Sequence, residues 1–411
     1  MCVQKFIHII VRLLAVVIAS NPVAASAQVV FDYSAGEAGN QRHLRLPKVE
    51  RQVKALLYAH QNMTEEVLFR SREFTARMDT LGVAMAFIQK GSQNWDVSDG
   101  CQQRFESIIK EFADSSGHPE ITCAPVIPFG HSAQATFPWN FAAWNPERTL
   151  CILSFHGDAP RTNLTGYGRE NIEWGRTRNI DSIPGLMIMG EYEWWEARLR
   201  PALAFRMMYP DSRISFFCDA GKGHFDLCDD TLDYMADFIE KALADPRPKD
   251  GSYFSRWNDD GTESTDVHDM FWYQDQEMIE RTKRRYEESL KKKEQYLGAR
   301  INGRIVEYNK DSHIKMNAVH EGDEFEIVPF YSDESRSEKS PEHGKATPYV
   351  RIISGPVIQT GDHTFRYDPD YFGFDPGRLW SGITLILEAD GDDVYKSAVQ
   401  EINIHLSSSK Q

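Results

Sequence analysis

Three regimes of hydrophobic patterning follow one another along the chain. Between residues 53 and 243, continuous apolar runs alternate with segments whose apolar residues recur at helical spacing. The runs at 53–59, 83–88, 123–129, 149–155, 185–189 and 213–217 read as strands, most of them with too few polar positions for a solvated face. Between them lie five helical segments. One starts at Glu65, capped by Thr64, and carries Val67, Leu68, Phe74 and Met78; the others span about 101–112, 133–144, 194–208 and 227–243. Pro138 and Pro201 fall inside two of these and predict a kink or a split there. Strands alternating with helices imply a mainly parallel, doubly wound sheet with its active site at the carboxyl ends of the strands.

The pattern then changes twice. Residues 246–274 are rich in Pro, Gly, Ser, Asp and Trp without periodicity and read as a linker over the surface, followed by a charged helix at about 274–297 that suggests a solvated spacer. From there the alternation is short and two-fold, at 303–308, 324–331, 349–353, 364–367, 382–388 and 398–406, which predicts an all-β, sandwich-like module. The resulting division is 28–245 for the α/β domain, 246–297 for linker and charged helix, and 298–411 for the β module.

The first 27 residues stand outside this scheme. A short basic start, an apolar run from about residue 6 to 19 and Ala25-Ser26-Ala27 read as a secretory signal peptide cut before Gln28. The run is short and contains Arg12, so a permanent membrane span is not expected, and the mature chain is expected in the periplasm or outside the cell. The formal charge of −15, with no basic cluster longer than Lys291-Lys292-Lys293, argues against nucleic acid or anionic membrane as partner. Export permits disulfides, and Cys218 with Cys228 is the favoured pair, Cys101 with Cys123 the next; Cys151, inside an apolar strand, reads as a buried thiol.

Chemistry gathers where the strand starting near Cys123 runs into Gly130-His131-Ser132-Ala133-Gln134-Ala135. A serine on a tight strand-to-helix turn has its hydroxyl pushed clear of the sheet, and the N–H of Ala133 is left where an oxyanion would form. Gln134 stands where a second glycine would complete G-x-S-x-G. Acyl transfer also needs a base and an acid that orients it. His224, in Gly221-Lys222-Gly223-His224 after the last strand of this region, is the candidate base. Glu193, three residues after Gly190, is the candidate acid, with Glu191 and then Asp158 as alternatives. The second oxyanion donor is expected from the turn after residue 59, with the N–H of Asn62 first and Gln61 or Met63 next. The insertion holding Tyr167, Arg169, Trp174, Arg176 and Arg178 offers rings and cations to a substrate. No H-E-x-x-H motif occurs, and this chemistry requires no metal or cofactor.

Residues 50–245, with the serine turn, the acid turn and the Gly-His-Phe loop in this order, resemble the α/β-hydrolase fold family. The resemblance implies a serine esterase, lipase or peptidase, and more distantly secreted bacterial hydrolases that act around polysaccharides. The segment from Ile383 through Glu388-Ala389-Asp390-Gly391-Asp392-Asp393-Val394-Tyr395 to Leu406 is similar to the closing strands of bacterial immunoglobulin-like repeats. The expectation is a secreted carboxylesterase acting on ester substituents of polysaccharide or on small esters. A serine peptidase or acyl-peptide hydrolase, and an inactive hydrolase-fold protein that binds glycan or protein, are the alternatives.

Overall fold

The computed structural model describes residues 29–49, 52–91, 95–157, 160, 174–192, 195–248, 267–306, 323–333, 342–368, 370–373 and 382–405. Eight strands form the main sheet: β1 (Tyr33–Ala35), β2 (Arg42–Arg45), β3 (Ala55–His60), β4 (Val83–Ile88), β5 (Val126–His131), β6 (Ile152–Phe155), β7 (Pro184–Gly190) and β8 (Arg213–Asp219). Their order is β1-β2-β4-β3-β5-β6-β7-β8, antiparallel at β1, β2 and β4 and parallel from β4 across to β8. This is the α/β-hydrolase arrangement, a mostly parallel sheet with helices.

Alternate residues of the central strands enter two separate cores. Leu56, Tyr58, Ala84 and Ala86 pack with Phe105, Ile109 and Phe112 of α3 (Cys101–Ser116). Leu57, Ala59, Met85 and Phe87 face the other way, toward α1 (Glu65–Arg70), α2 (Arg72–Leu81) and α6 (Asp229–Ala244). The single helix expected from Glu65 is divided because Ser71 is extended and caps α2 through its hydroxyl. The helix expected from 133 is likewise split. A 3₁₀ turn covers Ser132–Gln134 and α4 spans Phe137–Trp144, with Pro138 in its first turn, where a missing N–H breaks no helical bond. In α5 (Trp195–Met208), Pro201 lies inside the helix.

The stretch read as a surface linker and spacer is neither where it is described. Phe271, Trp272 and Tyr273 are buried. Trp272 N–H donates to the Ile214 carbonyl at 3.0 Å, and Tyr273 Oη to that of Phe216 at 2.7 Å. The charged helix α7 (Gln276–Leu290) buries Met278, Ile279 and Thr282. Its basic face is drawn onto α6, where Arg281 pairs with Asp233 at 2.7 Å and with Asp237 at 2.5 Å. A one-sided pattern of charges reads as solvated from sequence, whereas here the acidic face of α6 covers it.

The C-terminal region folds into two antiparallel sheets. One has the order β10-β9-β11-β14-β13, from β9 (Tyr296–Ile301), β10 (Arg304–Ile305), β11 (Glu324–Ser332), β13 (Val357–Gln359) and β14 (Thr364–Tyr367). The other is β12 (Tyr349–Ser354), β15 (Gly382–Ala389) and β16 (Ala398–His405), with β15 in the middle. Leu297, Ile327 and Phe365 of the first meet Ile352, Leu385 and Ile402 of the second in one core. No helix among the described residues is long and apolar enough to cross a membrane.

Candidate active site

The end of β5 delivers Ser132 into a strained turn. Its φ is +53°, a left-handed value that costs an L-residue on the order of 1–3 kcal/mol and persists only where the surroundings enforce it. Two close approaches do so. A Cβ on Gly130 would fall 2.1 Å from the Gln134 carbonyl oxygen, and one on Gly157, after β6, 1.9 Å from Ala135 Cβ. The turn needs a small residue at 130, 135 and 157. At Gln134 it is the backbone that meets Gly130, so a glutamine side chain does not obstruct the turn, and the departure from G-x-S-x-G leaves it intact.

His224 lies in the loop after β8, with Nε2 2.9 Å from Ser132 Oγ, so the hydroxyl can donate directly to a base. Two fully buried histidines hold this loop from below. His131 Nε2 and His156 Nδ1 approach the His224 carbonyl oxygen at 3.0 and 2.8 Å. A carbonyl only accepts, so both nitrogens carry the proton, which assigns the Nε2–H tautomer to His131 and the Nδ1–H tautomer to His156. The three histidines bring one nitrogen each within 4.8 Å of one another, spacing that could hold a metal ion. The bonds to the carbonyl and to Ser132 give all three another occupation. Nothing in the sequence alone assigns His131 or His156 this holding role; the histidine inside Gly-His-Ser is the available signal.

The expected oxyanion donors divide. Ala133 occupies the first turn of the 3₁₀ segment, where an N–H has no intrahelical acceptor, and it is partly exposed beside Ser132. Asn62 does not offer its N–H: this donates to Glu65 Oε2 at 3.1 Å, as does that of Met63 at 2.7 Å, while Gln61 N–H donates to the Ile88 carbonyl at 2.8 Å. For Asn62 and Met63 the cause is Glu65, a buried carboxylate at the start of α1 that takes both donors on Oε2 and His131 N–H on its other oxygen at 2.9 Å. Asn62 contributes through its side chain, donating to the His131 carbonyl at 2.9 Å. Glu65 thereby ties the turn after β3 to the turn of Ser132.

Of the candidate acids, Glu193 and Asp158 lie outside the described residues, as do Tyr167 and Arg169; Trp174 opens the 3₁₀ helix Trp174–Ile180. Glu191 is described and is engaged elsewhere, its Oε2 accepting Gly221 N–H at 2.7 Å and its Oε1 facing Lys396 Nζ at 3.0 Å. The disulfide expected between Cys218 and Cys228 is absent: both are buried thiols, as is Cys151, and Cys101 and Cys123 are also unpaired. Cys218 points into the sheet core from β8, whereas Cys228, preceding α6, turns its sulfur to the Thr231 hydroxyl at 3.2 Å.

A buried charge cluster underlies the His224 loop. Lys222 Nζ lies 3.4 Å from Glu388 Oε1, and Arg351 Nε 2.5 Å from Glu388 Oε2. Burial pushes the Glu388 carboxyl up, but Arg351 and Lys222 outweigh it and hold it down at about 2. Asp226 accepts Gly223 N–H at 3.0 Å, and burial, opposed by Lys222 and reinforced by Glu388, pushes it up to about 8. From its ordinary value of 3.8 up to about 8 the folded chain keeps a proton on Asp226 that the unfolded chain releases. This contribution to stability therefore falls as pH rises through that window and levels off above it. Asp226→Asn, which keeps the acceptor, is expected to gain on wild type in urea midpoint between pH 5 and pH 9. A constant difference over that range would show that Asp226 does not hold the proton.

No protein-family model matches this chain, and no curated protein matches it. Solved structures with this fold do. A truncated carbohydrate esterase from gut microbiota is 12% identical over 54% of this chain and 99% of its own, with a TM-score of 0.37. A soluble variant of the Saccharomyces cerevisiae monoglyceride lipase is 11% identical over 55% and 98%, with a TM-score of 0.36. An S-formylglutathione hydrolase from Agrobacterium tumefaciens is 14% identical over 53% and 98%, with a TM-score of 0.34. The fold stands on the strand order and register above, and the site on its own geometry.

Proposed function

We propose that this protein is an exported serine hydrolase that cleaves carboxylic esters through an acyl-enzyme. The observation that carries the reading is the strained Ser132 with its Oγ 2.9 Å from His224 Nε2. Ser132 attacks the ester carbonyl while His224 takes its proton, the Ala133 N–H stabilises the oxyanion, and His224 returns the proton to the leaving alcohol. Water then hydrolyses the acyl-enzyme with His224 again as base. Glu193 is the acid this reading assigns to His224, on its position after β7. The substrates assigned are ester substituents of polysaccharide or small esters, and the C-terminal sheets are read as an immunoglobulin-like module.

The test is labelling by a fluorophosphonate together with turnover of short p-nitrophenyl esters. Wild type is expected to label and turn over, and Ser132→Ala to do neither. A wild-type chain inert toward the fluorophosphonate and toward all esters and amides would sink the reading and favour a binding protein. Export rests on residues 1–27, and intact-mass analysis of protein from the native secretion route is expected to find Gln28 at the amino terminus. A chain retaining residue 1 would overturn it.

A further inference from the structure

The C-terminal sheets do not hang from the hydrolase domain; they grip three of its loops beside Ser132 and His224. At the turn after β3, Gln61 Nε2 donates to the Gly373 carbonyl, Tyr371 Oη donates to Glu66 Oε2 at 2.7 Å, and Gly355 N–H donates to the same oxygen at 3.0 Å. At the turn after β7, Lys396 Nζ holds Glu191 Oε1 at 3.0 Å. Glu191 passes that hold to the His224 loop through Gly221 N–H, and Tyr192 N–H adds a bond to the Lys222 carbonyl at 3.0 Å. Below His224, Lys222 is 4% exposed and meets Glu388, 1% exposed on β15. Arg351 of β12 closes the set by joining Glu388 to Asp229 at the start of α6, with bonds of 3.0 and 2.9 Å to the two Asp229 oxygens.

The fit is also steric. Gly221, at φ +75°, would place a Cβ 2.9 Å from Ser397 Oγ, so the loop lies directly on the segment before β16. Ion pairs of this kind, nearly closed to solvent, are geometrically exacting, and removing one partner leaves the other charge buried and uncompensated. The module therefore supplies partners to buried and part-buried polar groups on each of these loops.

We propose that the C-terminal module is a working part of the catalytic apparatus, with Glu388 and Lys396 acting as positioning residues for the His224 loop and the turn after β7. This rests on the serine hydrolase reading. It makes the module an internal brace whose removal leaves Ser132 in its turn but lets His224 drift from it.

The experiment uses the full-length chain with p-nitrophenyl butyrate and a fluorophosphonate probe. Glu388→Gln and Lys396→Met are each expected to lower kcat and the labelling rate about tenfold or more, with KM within about twofold, because a base displaced by about an ångström loses rate and not substrate affinity. Lys396→Arg should recover most of the loss. Glu191→Gln combined with Lys396→Met should lose no more than the worse single variant, since both break one contact. A purely structural role would lower the melting temperature and leave kcat of the folded fraction unchanged, which overturns the proposal. Lys396, nearer the surface than Glu388, decides the matter if Glu388→Gln fails to fold. A reactive wild type with unaltered variants rejects this proposal alone, whereas an inert wild type rejects the hydrolase reading and the proposal with it.

Discussion

If the proposed reading holds, Ser132→Ala and His224→Ala are each expected to lower kcat for ester hydrolysis by on the order of 10⁴-fold or more, with the double variant falling no further than the worse of the two. The reason is that the proposed attack passes a single proton between Ser132 Oγ and His224 Nε2, which lie 2.9 Å apart. Without the imidazole the hydroxyl is a poor nucleophile at neutral pH, and without the hydroxyl the imidazole has nothing to activate. KM should change little, because in the proposed mechanism both groups act on the reacting carbonyl and not in holding the ester. The measurement is steady-state hydrolysis of p-nitrophenyl butyrate by chromatographically homogeneous variants, with circular dichroism to establish that each is folded. Losses that multiply in the double variant would mean that the two residues act in separate steps, and the proposed attack would be wrong.

Much of this geometry is legible in the residues themselves, and its limits are physical. The six parallel strands carry apolar runs because helices cover both faces, so periodicity finds β3 to β8 with boundaries shifted by a few residues. The edge strand β1 and its neighbour β2 are short and polar; Arg42-His43-Leu44-Arg45 places one aliphatic side chain in the core and gives a pattern search nothing to detect. The serine turn is readable because a local backbone constraint forces local residue choices at Gly130 and Ala135. Its partners are less so. The N–H of Asn62 is expected to face a substrate, but Glu65, three residues on at the start of α1, takes it in a local contact of the capping-box kind, while the fold adds the long-range bond from His131 N–H to the same carboxylate. Long-range ion pairs are harder still: Lys222 and Glu388 are 166 positions apart, and each alone reads as an ordinary surface charge. The same blindness made α7 look solvated, because its cations are matched by Asp233 and Asp237 on a different helix.

The helix read as a spacer supplies the second large effect. Arg285 on α7 reaches Asp219 Oδ1 at 2.5 Å, and Asp219, wholly buried at the end of β8, also accepts from the Thr231 hydroxyl. The Asp219 backbone carbonyl in turn accepts Glu191 N–H at 3.1 Å, so Asp219 stands at the root of both the turn after β7 and the His224 loop. Arg285→Met removes the only guanidinium on a fully desolvated carboxylate among the described residues there, and is expected to cost about 3–5 kcal/mol in urea unfolding. Asp219→Asn in the same chain should recover a large part of that loss, since the uncompensated charge is gone while an acceptor for Thr231 remains. Such recovery identifies the penalty as burial of an unpaired charge. If the double variant is as unstable as the sum of the singles, the contact is one of packing alone, and α7 holds the sheet through its apolar face of Met278 and Ile279.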